Sequence, residues 1–454
     1  MPSRVLLISV NTYASPYPVY PLGLAHVAAA LERAGHVTCV LDMGRDKQRL
    51  ESEIAAFRPE VVGLSLRNID DVDIEKRRFF VPDLVEAVRR VKAATGVPVV
   101  IGGSAFSLFP EQILELSGAD YGVKGEGERA LPALVSALAS GGDPRGIPGL
   151  VRRQGGAVTV NAPSACLPAD IPLAAHPPEL LAHYRQQSSM ISVQTQRGCA
   201  FRCCYCTYPL IEGSRVRFRA AADVGEEAAR LKAQGIRYFF VVDSVFNTSR
   251  DHVVAVCEEM IRRDLGMHWC CFLRPAGLDG ELMDLMARAG LQHVEFGSDS
   301  FCDEVLSAYG KDFAFADILQ ASDLARARRI RYAHFLIAGG PGETEATLRE
   351  GFANSRKLQR TVIFPFVGMR LYPGTRLFEI AVREEMVDPD ARLLEPFYYV
   401  APGLGEKRVR DLLAEFTAQA GNWVVGDLPP ELARIARQLR AKGVEGPLWE
   451  FLIR

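Results

Sequence analysis

Two consecutive β/α series, an α/β architecture throughout, are what the 454-residue sequence predicts, and three observations carry that expectation. Short β-branched runs alternate with helix-period segments over residues 1–140. The alternation resumes after about residue 190, and the stretch between is rich in Pro and Ala. The first series predicts a doubly wound, Rossmann-like parallel sheet. The second holds about six βα units and predicts a full or partial TIM-type barrel, (βα)6, with its working face at the carboxyl ends of the strands. A smaller, mostly helical C-terminal region follows.

In the first series "RVLLISV" reads as a strand, and "PLGLAHVAAALERAG" as a helix with Leu24, Val27, Ala28 and Leu31 on one face and Gly35 as its stop. "VTCVLDM", "VVGLSLR", "VPVVIGG" and "ADYGVKG" are further strands, separated by helical segments, and a helix starts at Glu128. Ligands of such sheets bind at the carboxyl ends of the strands. Those ends carry "SVNTYASPYPVYPLG", "SLRNIDD", "IGGSAFSLFP" and "KGEGE". The loop after the first strand lacks G-x-G-x-x-G, which disfavours a nicotinamide cofactor. Residues 141–190 form a hairpin, "GLVRRQGGAVTV", and a linker. The barrel series spans 191–385, with strands "SMISVQTQ", "YFFVVD", "HWCCFLRP", "HVEFGSD", "RYAHFLIAGG" and "TVIFPFVGMRLYP", and 386–454 is the C-terminal region.

A net charge of −2 gives no overall attraction to nucleic acid or to an anionic membrane. No apolar run approaches the ~18 residues needed to span a bilayer. The first apolar stretch is too short for a secretory signal, so a cytoplasmic protein is expected. Ten cysteines in a chain this long are too few for a disulfide scaffold, and their clustering points to metal or redox work in a reducing compartment.

"QTQRGCAFRCCYCTYP" puts Cys199, Cys203, Cys204 and Cys206 in one loop after the first barrel strand. A structural zinc site or a ferredoxin-type cluster takes four ligands, and no second pair lies nearby. Cys199, Cys203 and Cys206, spaced C-x3-C-x2-C, would hold a cubane cluster with one iron open. Cys204 reads as a packed or neighbouring thiol. Cys270 and Cys271 are adjacent on a strand, so their side chains point to opposite faces.

This spacing, with Tyr205 before the last cysteine, resembles the radical S-adenosylmethionine (SAM) enzymes. The resemblance implies a [4Fe–4S] cluster on the three cysteines whose open iron chelates the amino and carboxylate groups of SAM, and cleavage of SAM to a 5′-deoxyadenosyl radical. It makes Asp243 and Ser244, after the second barrel strand, and Asp299, in "EFGSDS", candidates for gripping SAM, although the usual Gly-Gly-Glu is absent and Asp stands where Glu is commoner. "AGGPGET" resembles the family's glycine-rich loop, where Gly339 and Gly340 would allow close approach to SAM's adenine end, and "MRLYPGT" is typical of the same subgroup.

With "PLGL", "LRNID", the Gly102-Gly103-Ser104 turn and "GEGE" (Glu126, Gly127, Glu128) in the first domain, nearly the whole chain resembles the cobalamin-binding radical SAM class. The resemblance implies cobalamin at the strand ends of that domain. D-x-H-x-x-G is absent, and His26 and His36 lack its context, so no protein histidine is expected below cobalt. Arg67 and Asn68 follow a buried-looking strand and are candidates for that lower face; pairing of Arg67 with Asp70 or Asp71 in a surface turn is the alternative. A guanidinium stays protonated and cannot coordinate cobalt.

The implied reaction is methylation of an unactivated carbon of a small molecule or natural product, with flavodoxin or ferredoxin as external one-electron reductant and the C-terminal region closing over the substrate. Cobalamin-assisted ring formation or rearrangement, a radical SAM enzyme that has lost cobalamin, and a non-enzymatic cobalamin or redox sensor are the alternatives.

Overall fold

The computed structural model describes residues 2–15, 17–168, 171–188, 190–426 and 430–452. The chain forms two compact units: Met1–Asp71, Arg78–Tyr184 and Leu210–Gly213 in one, and Val72–Arg77, Arg185–Pro209 and Ser214–Arg454 in the other. Among the described residues no helix is long and apolar enough to cross a membrane.

The first unit is built on β1 (Arg4–Ser9), β2 (Val37–Asp42), β3 (Val61–Ser65), β4 (Val99–Gly102) and β5 (Tyr121–Val123), all parallel, followed by the antiparallel β6 (Leu150–Gln154) and β7 (Ala157–Val160). The spatial order is β2-β1-β3-β4-β5-β6-β7. Chain direction across the sheet reverses at β1, which places the binding crevice beyond the ends of β1 and β3. Val5, Leu7, Val61, Val100 and Val123 bury one sheet face against Leu24, Ala28 and Leu31 of helix Leu22–Arg33 and Leu131, Leu134 and Val135 of helix Gly127–Ser140. Each fully buried side chain of this kind contributes roughly 1.5–3 kcal/mol. The hairpin that the sequence assigns to the linking stretch extends this sheet. Its turn works because Gly155 and Gly156 take φ of 56° and 87°, the mirror-image turn that matches strand twist.

The second unit holds β8 (Ile191–Val193), a small ribbon of β9 (Gln196–Arg197) and β10 (Arg217–Phe218), then β11 (Tyr238–Val241), β12 (His268–Leu273), β13 (Leu291–Asp299), β14 (Arg331–Ala338) and β15 (Val362–Val367). β8 and β11–β15 make a six-stranded parallel sheet in the order β15-β14-β13-β12-β11-β8, the (βα)6 partial barrel. Period-two alternation sorts its side chains. Phe239 stacks on Trp269, and His334 binds Ser322 of helix Phe315–Ala327, all on the helix side. Tyr238, Phe240, Phe272, Phe335 and Phe364 belong to the inner set.

In the C-terminal region Tyr398–Tyr399 pairs with Met369–Arg370 just beyond β15, the Ala401 N–H donates to the Gly339 carbonyl at 2.7 Å, and helix Gly405–Thr417 packs on the barrel's flank, with Phe416 stacked on Phe352 at 4.5 Å. Trp449 then packs with Ala333 and Val362, edges onto His293 and donates its indole N–H to Glu295 at 3.0 Å. These residues lie in the early part of their strands, so the last turn stoppers the end of the barrel opposite the mouth.

Candidate functional site

The mouth of the barrel is organised around the loop after β8. Cys199 is buried, and Cys203 and Cys206 are half-buried. The Cys206 N–H donates to the Cys203 carbonyl at 3.2 Å; Cys206 feels both the Cys203 and Cys199 thiols electrostatically, and Cys203 feels Cys199. Burial pushes the Cys203 thiol up and the Cys206 thiol up to about 12, so their thiolates call for a cationic partner. Among the described residues no three His, Cys, Asp or Glu converge as ligands of one metal ion. A cubane asks for something different, since each cysteine binds a separate iron, and the coupled trio fits such a group.

Cys204 points away from this trio. It is fully buried in an apolar cluster with Cys302, Tyr309 and Leu371, and its backbone bonds Tyr309 and Leu377. Cys270 and Cys271 diverge as adjacent strand residues must: Cys270 lies by Tyr238 and Glu295, Cys271 by Cys257.

Asp243, a candidate for gripping SAM, is fully buried. It accepts the Thr195 N–H at 2.7 Å, the Thr195 hydroxyl at 2.5 Å and the Gln196 N–H at 3.2 Å. His252 Nε2 lies 2.9 Å from the Thr195 hydroxyl, which already donates to Asp243, so the imidazole is the donor. Ser244 donates to the Gly198 carbonyl at 3.3 Å. Both residues therefore brace the start of the cysteine loop. The buried Arg219 joins them, donating to the Gln194 carbonyl at 2.6 Å and to Glu227 at 2.7 Å.

Asp299 ends β13 with φ of 60°, where the register with β14 shifts. Strained backbone of this kind clusters at functional sites. Its carboxylate accepts the Tyr205 hydroxyl at 2.5 Å and pairs with the buried ammonium of Lys311, which also bonds the Cys203 sulfur. Burial alone would lower the Lys311 pKa; Asp299 and Cys203 outweigh it, and the net direction is up. Lys311 carries no motif in "AYGKDF" that ties it to the cysteines, and sequence reasoning missed it, along with Thr195, His252 and Arg219.

The glycine-rich loop after β14 is held from inside. Gly339 takes φ of 92° and donates its N–H to Glu343, while Gly340 donates to the Tyr309 hydroxyl at 3.1 Å. A Cβ at Gly340 would stand 2.4 Å from the Tyr309 ring. Packing on Tyr309 requires glycine there. A small cavity lies alongside, lined by Asp299, Phe301, Glu343, Phe352, Leu413 and Trp423.

In the first unit the expected residues gather at the crevice. Arg67 and Asn68 lie just beyond β3, and Ser104 donates to the Arg67 carbonyl at 2.7 Å. Gly103 is required: its φ is 101° and a Cβ would stand 2.4 Å from the Leu66 carbonyl oxygen. Gly102 accepts the Leu66 N–H at 2.9 Å. Glu126 precedes helix Gly127–Ser140 and accepts the Cys166 N–H; Gly127 faces Val27, and Glu128 is buried. His26 bonds the Pro172 carbonyl at 2.9 Å, and His36 bonds Ser3 and Ser136, so both are structural.

Comparison with known proteins agrees with this arrangement. Residues 8–135 match the B12 binding domain model, and residues 193–352 match the Radical SAM superfamily model. Tryptophan 2-C-methyltransferase of Streptomyces laurentii is 29% identical, the match covering 78% of this chain and 71% of that enzyme. The structure of the radical SAM methyltransferase TsrM from Kitasatospora setae with cobalamin and a [4Fe–4S] cluster superimposes with a TM-score of 0.90 at 25% identity, covering 100% of this chain and 97% of that one. The same enzyme with tryptophan and a SAM analogue gives 0.88 at 27% identity, covering 99% and 97%. With a three-cysteine loop at a six-stranded barrel mouth and a B12-type sheet before it, this chain belongs to the cobalamin-binding-domain radical SAM enzymes.

Proposed function

We propose that this enzyme transfers a methyl group from SAM to a carbon atom of a small molecule, with cobalamin and a [4Fe–4S] cluster as its cofactors. The observation that most supports this is the coupled trio Cys199, Cys203 and Cys206 on a braced loop at the barrel mouth. The carbon-methylating relative from Streptomyces and the cobalamin- and cluster-bound TsrM support the same reading. When bound, the cluster supplies one electron to SAM and the corrin a cobalt centre suited to relaying methyl groups.

The chain's own residues do the placing. The three cysteines would hold the cluster at the barrel mouth. Asp243, Thr195 and Arg219 fix the loop's entry, and Lys311 sets positive charge beside Cys203, favouring its thiolate. Asp299 and Ser244, with Tyr205 and the Gly339-Gly340 turn, flank the place for SAM; Asp243 acts through the loop. Gly102, Gly103, Ser104, Glu126, Gly127 and Glu128 border the place for the corrin, with Arg67 and Asn68 toward its lower face. Residues 1–140, 141–190, 191–385 and 386–454 are proposed as cobalamin domain, connecting hairpin and linker, catalytic barrel and C-terminal region. A flavodoxin or ferredoxin in the cytoplasm is the proposed electron source.

The test is anaerobic purification with cobalamin, followed by the visible spectrum and incubation with SAM and a reductant. Cluster and corrin absorbance, with cobalamin-dependent formation of S-adenosylhomocysteine, is the expected result. Cluster absorbance alone, with SAM cleavage indifferent to cobalamin, would overturn it.

A further inference from the structure

The solvent side of the cysteine loop carries charge that the cofactor reading leaves unused. Along the loop Cys199 is buried and Cys203 half-buried, whereas Ala200 and Arg202 are exposed, so the loop's outer side meets water one residue from each of these thiols. The loop is tied to two neighbouring segments: Cys204 donates its N–H to the Tyr309 carbonyl at 2.8 Å and accepts the Leu377 N–H at 2.8 Å. Those bonds bring a second exposed guanidinium alongside, because Arg376 directly precedes Leu377 at the start of helix Arg376–Arg383. Gly310 marks where the two meet. A Cβ there would stand 2.5 Å from the Arg202 carbonyl oxygen and 3.7 Å from a guanidinium nitrogen of Arg376.

Among the described residues neither Arg202 nor Arg376 pairs with a carboxylate. Exposed arginines elsewhere, such as Arg89, Arg262 and Arg349, sit against glutamates three or four residues away. Three of the four acids on the adjoining segment 299–312 are engaged otherwise: Asp299 holds Lys311 and Tyr205, Asp303 accepts the Phe315 N–H at 2.6 Å, and Asp312 pairs with Arg274. Only Glu304 is left against two guanidinium groups, so the patch keeps a net positive charge. Such charge attracts an acidic partner and steers its approach. Both side chains are exposed rather than set in a pocket, which suits the face of a protein better than a small anion.

We infer that Arg202 and Arg376 form the docking surface for an acidic one-electron carrier protein, which delivers its electron to the cluster from the Cys203 side of the loop. This rests on the proposed cluster and deepens the reading of its electron source. The step is a plain electron transfer: the carrier is oxidised by one electron, the cluster is reduced by one, and no bond or proton changes place. Guanidinium groups suit the task because they stay charged and bind carboxylates with two parallel hydrogen bonds.

The test is stopped-flow mixing of flavodoxin hydroquinone, an acidic carrier, with the cluster-loaded enzyme, read from the flavin's visible spectrum as it becomes semiquinone. The wild-type rate is expected to fall about tenfold between ~0.01 M and ~0.15 M ionic strength. Arg202→Glu and Arg376→Glu are each expected to slow the reaction about tenfold at the lower salt. Arg288→Glu makes the same change in net charge at the end of helix Gly280–Arg288, which leads into β13 and so lies at the opposite end of the barrel; its rate should match wild type. Reduced methyl viologen, a small cation that needs no docking, should reduce the Arg202 and Arg376 variants no more slowly than wild type, with equal iron counts. Rates indifferent to salt, wild-type rates in Arg202→Glu and Arg376→Glu, or equal slowing in Arg288→Glu would overturn the inference. Slowing shared by flavodoxin and methyl viologen would place the defect in the cluster loop itself and overturn it too. Failure of the wild-type chain to take up a cluster would strike the cofactor reading, and the inference with it.

Discussion

Asp243 and Asp299 stand just beyond β11 and at the end of β13, both buried at the barrel mouth, yet they are satisfied in opposite ways. Asp243 draws on neutral donors, two backbone N–H groups and a hydroxyl of Thr195 and Gln196. Asp299 draws on a phenol and a buried ammonium. The first carboxylate therefore sets the backbone path of the cysteine loop. The second sets its charge, because Lys311 also reaches Cys203. Position beyond a strand does not by itself say which job a carboxylate has; its donors do.

The largest effect tests whether both supports serve the same cargo. Cys203→Ala leaves Asp243 and Asp299 in place and is expected to lose essentially all cluster iron, whereas Cys204→Ala, in its apolar cluster, should keep it; iron and sulfide counts after anaerobic reconstitution decide. Next, Asp243→Ala orphans two buried N–H groups at roughly 1–3 kcal/mol each, so about 2–6 kcal/mol of stability should go, read from denaturant midpoints. An unchanged midpoint would remove the backbone half of the comparison.

The charge half is sharpened by a double-mutant cycle. Asp299→Asn and Lys311→Met each strand a buried partner, and the double variant should recover about 1–3 kcal/mol relative to their sum. Simple additivity would mean the pair is not coupled.

The smallest effect concerns pH. Burial holds His252 down at about 4 and His334 at about 3, so between pH 6.5 and 4.5 only the unfolded chain protonates them and stability falls with pH. Burial raises Glu295 and Glu343 to about 7, so over the same window the folded chain keeps protons that the unfolded one has lost, and stability rises as pH falls. Burial also lowers His36, His183 and His293, so the histidines outnumber the two glutamates and stability should fall on acidification. Glu343→Gln, beside the glycine-rich loop, should steepen that loss by up to about 1.4 kcal/mol per pH unit. A slope no steeper than wild type in that variant would contradict the role given to Glu343.

What was legible in the sequence follows from range. Cys199, Cys203 and Cys206 lie within one loop, and the strand–helix alternation is local, so spacing and period reveal both. Gly103 is legible for the same reason, since its positive φ belongs to its own turn. Lys311 lies 12 residues from Asp299 in sequence and Thr195 lies 48 from Asp243, and those pairings exist only once the barrel has closed. Gly340 resembles a ligand-approach glycine in sequence, but its neighbour proves to be Tyr309, 31 residues away.

The indole of Trp449 meets Glu295 across 154 residues of chain. At a ribosomal pace of about 5–20 residues per second, β13 waits roughly 8–30 s for its stopper. Until then the carboxyl of Glu295, and Ala333 and Val362 once they are made, stay open to water and to chaperones. Translation speed between residues 295 and 449 thus becomes a determinant of yield. Synonymous codons that slow the ribosome between β15 and residue 449 should lower the soluble fraction without altering a single amino acid.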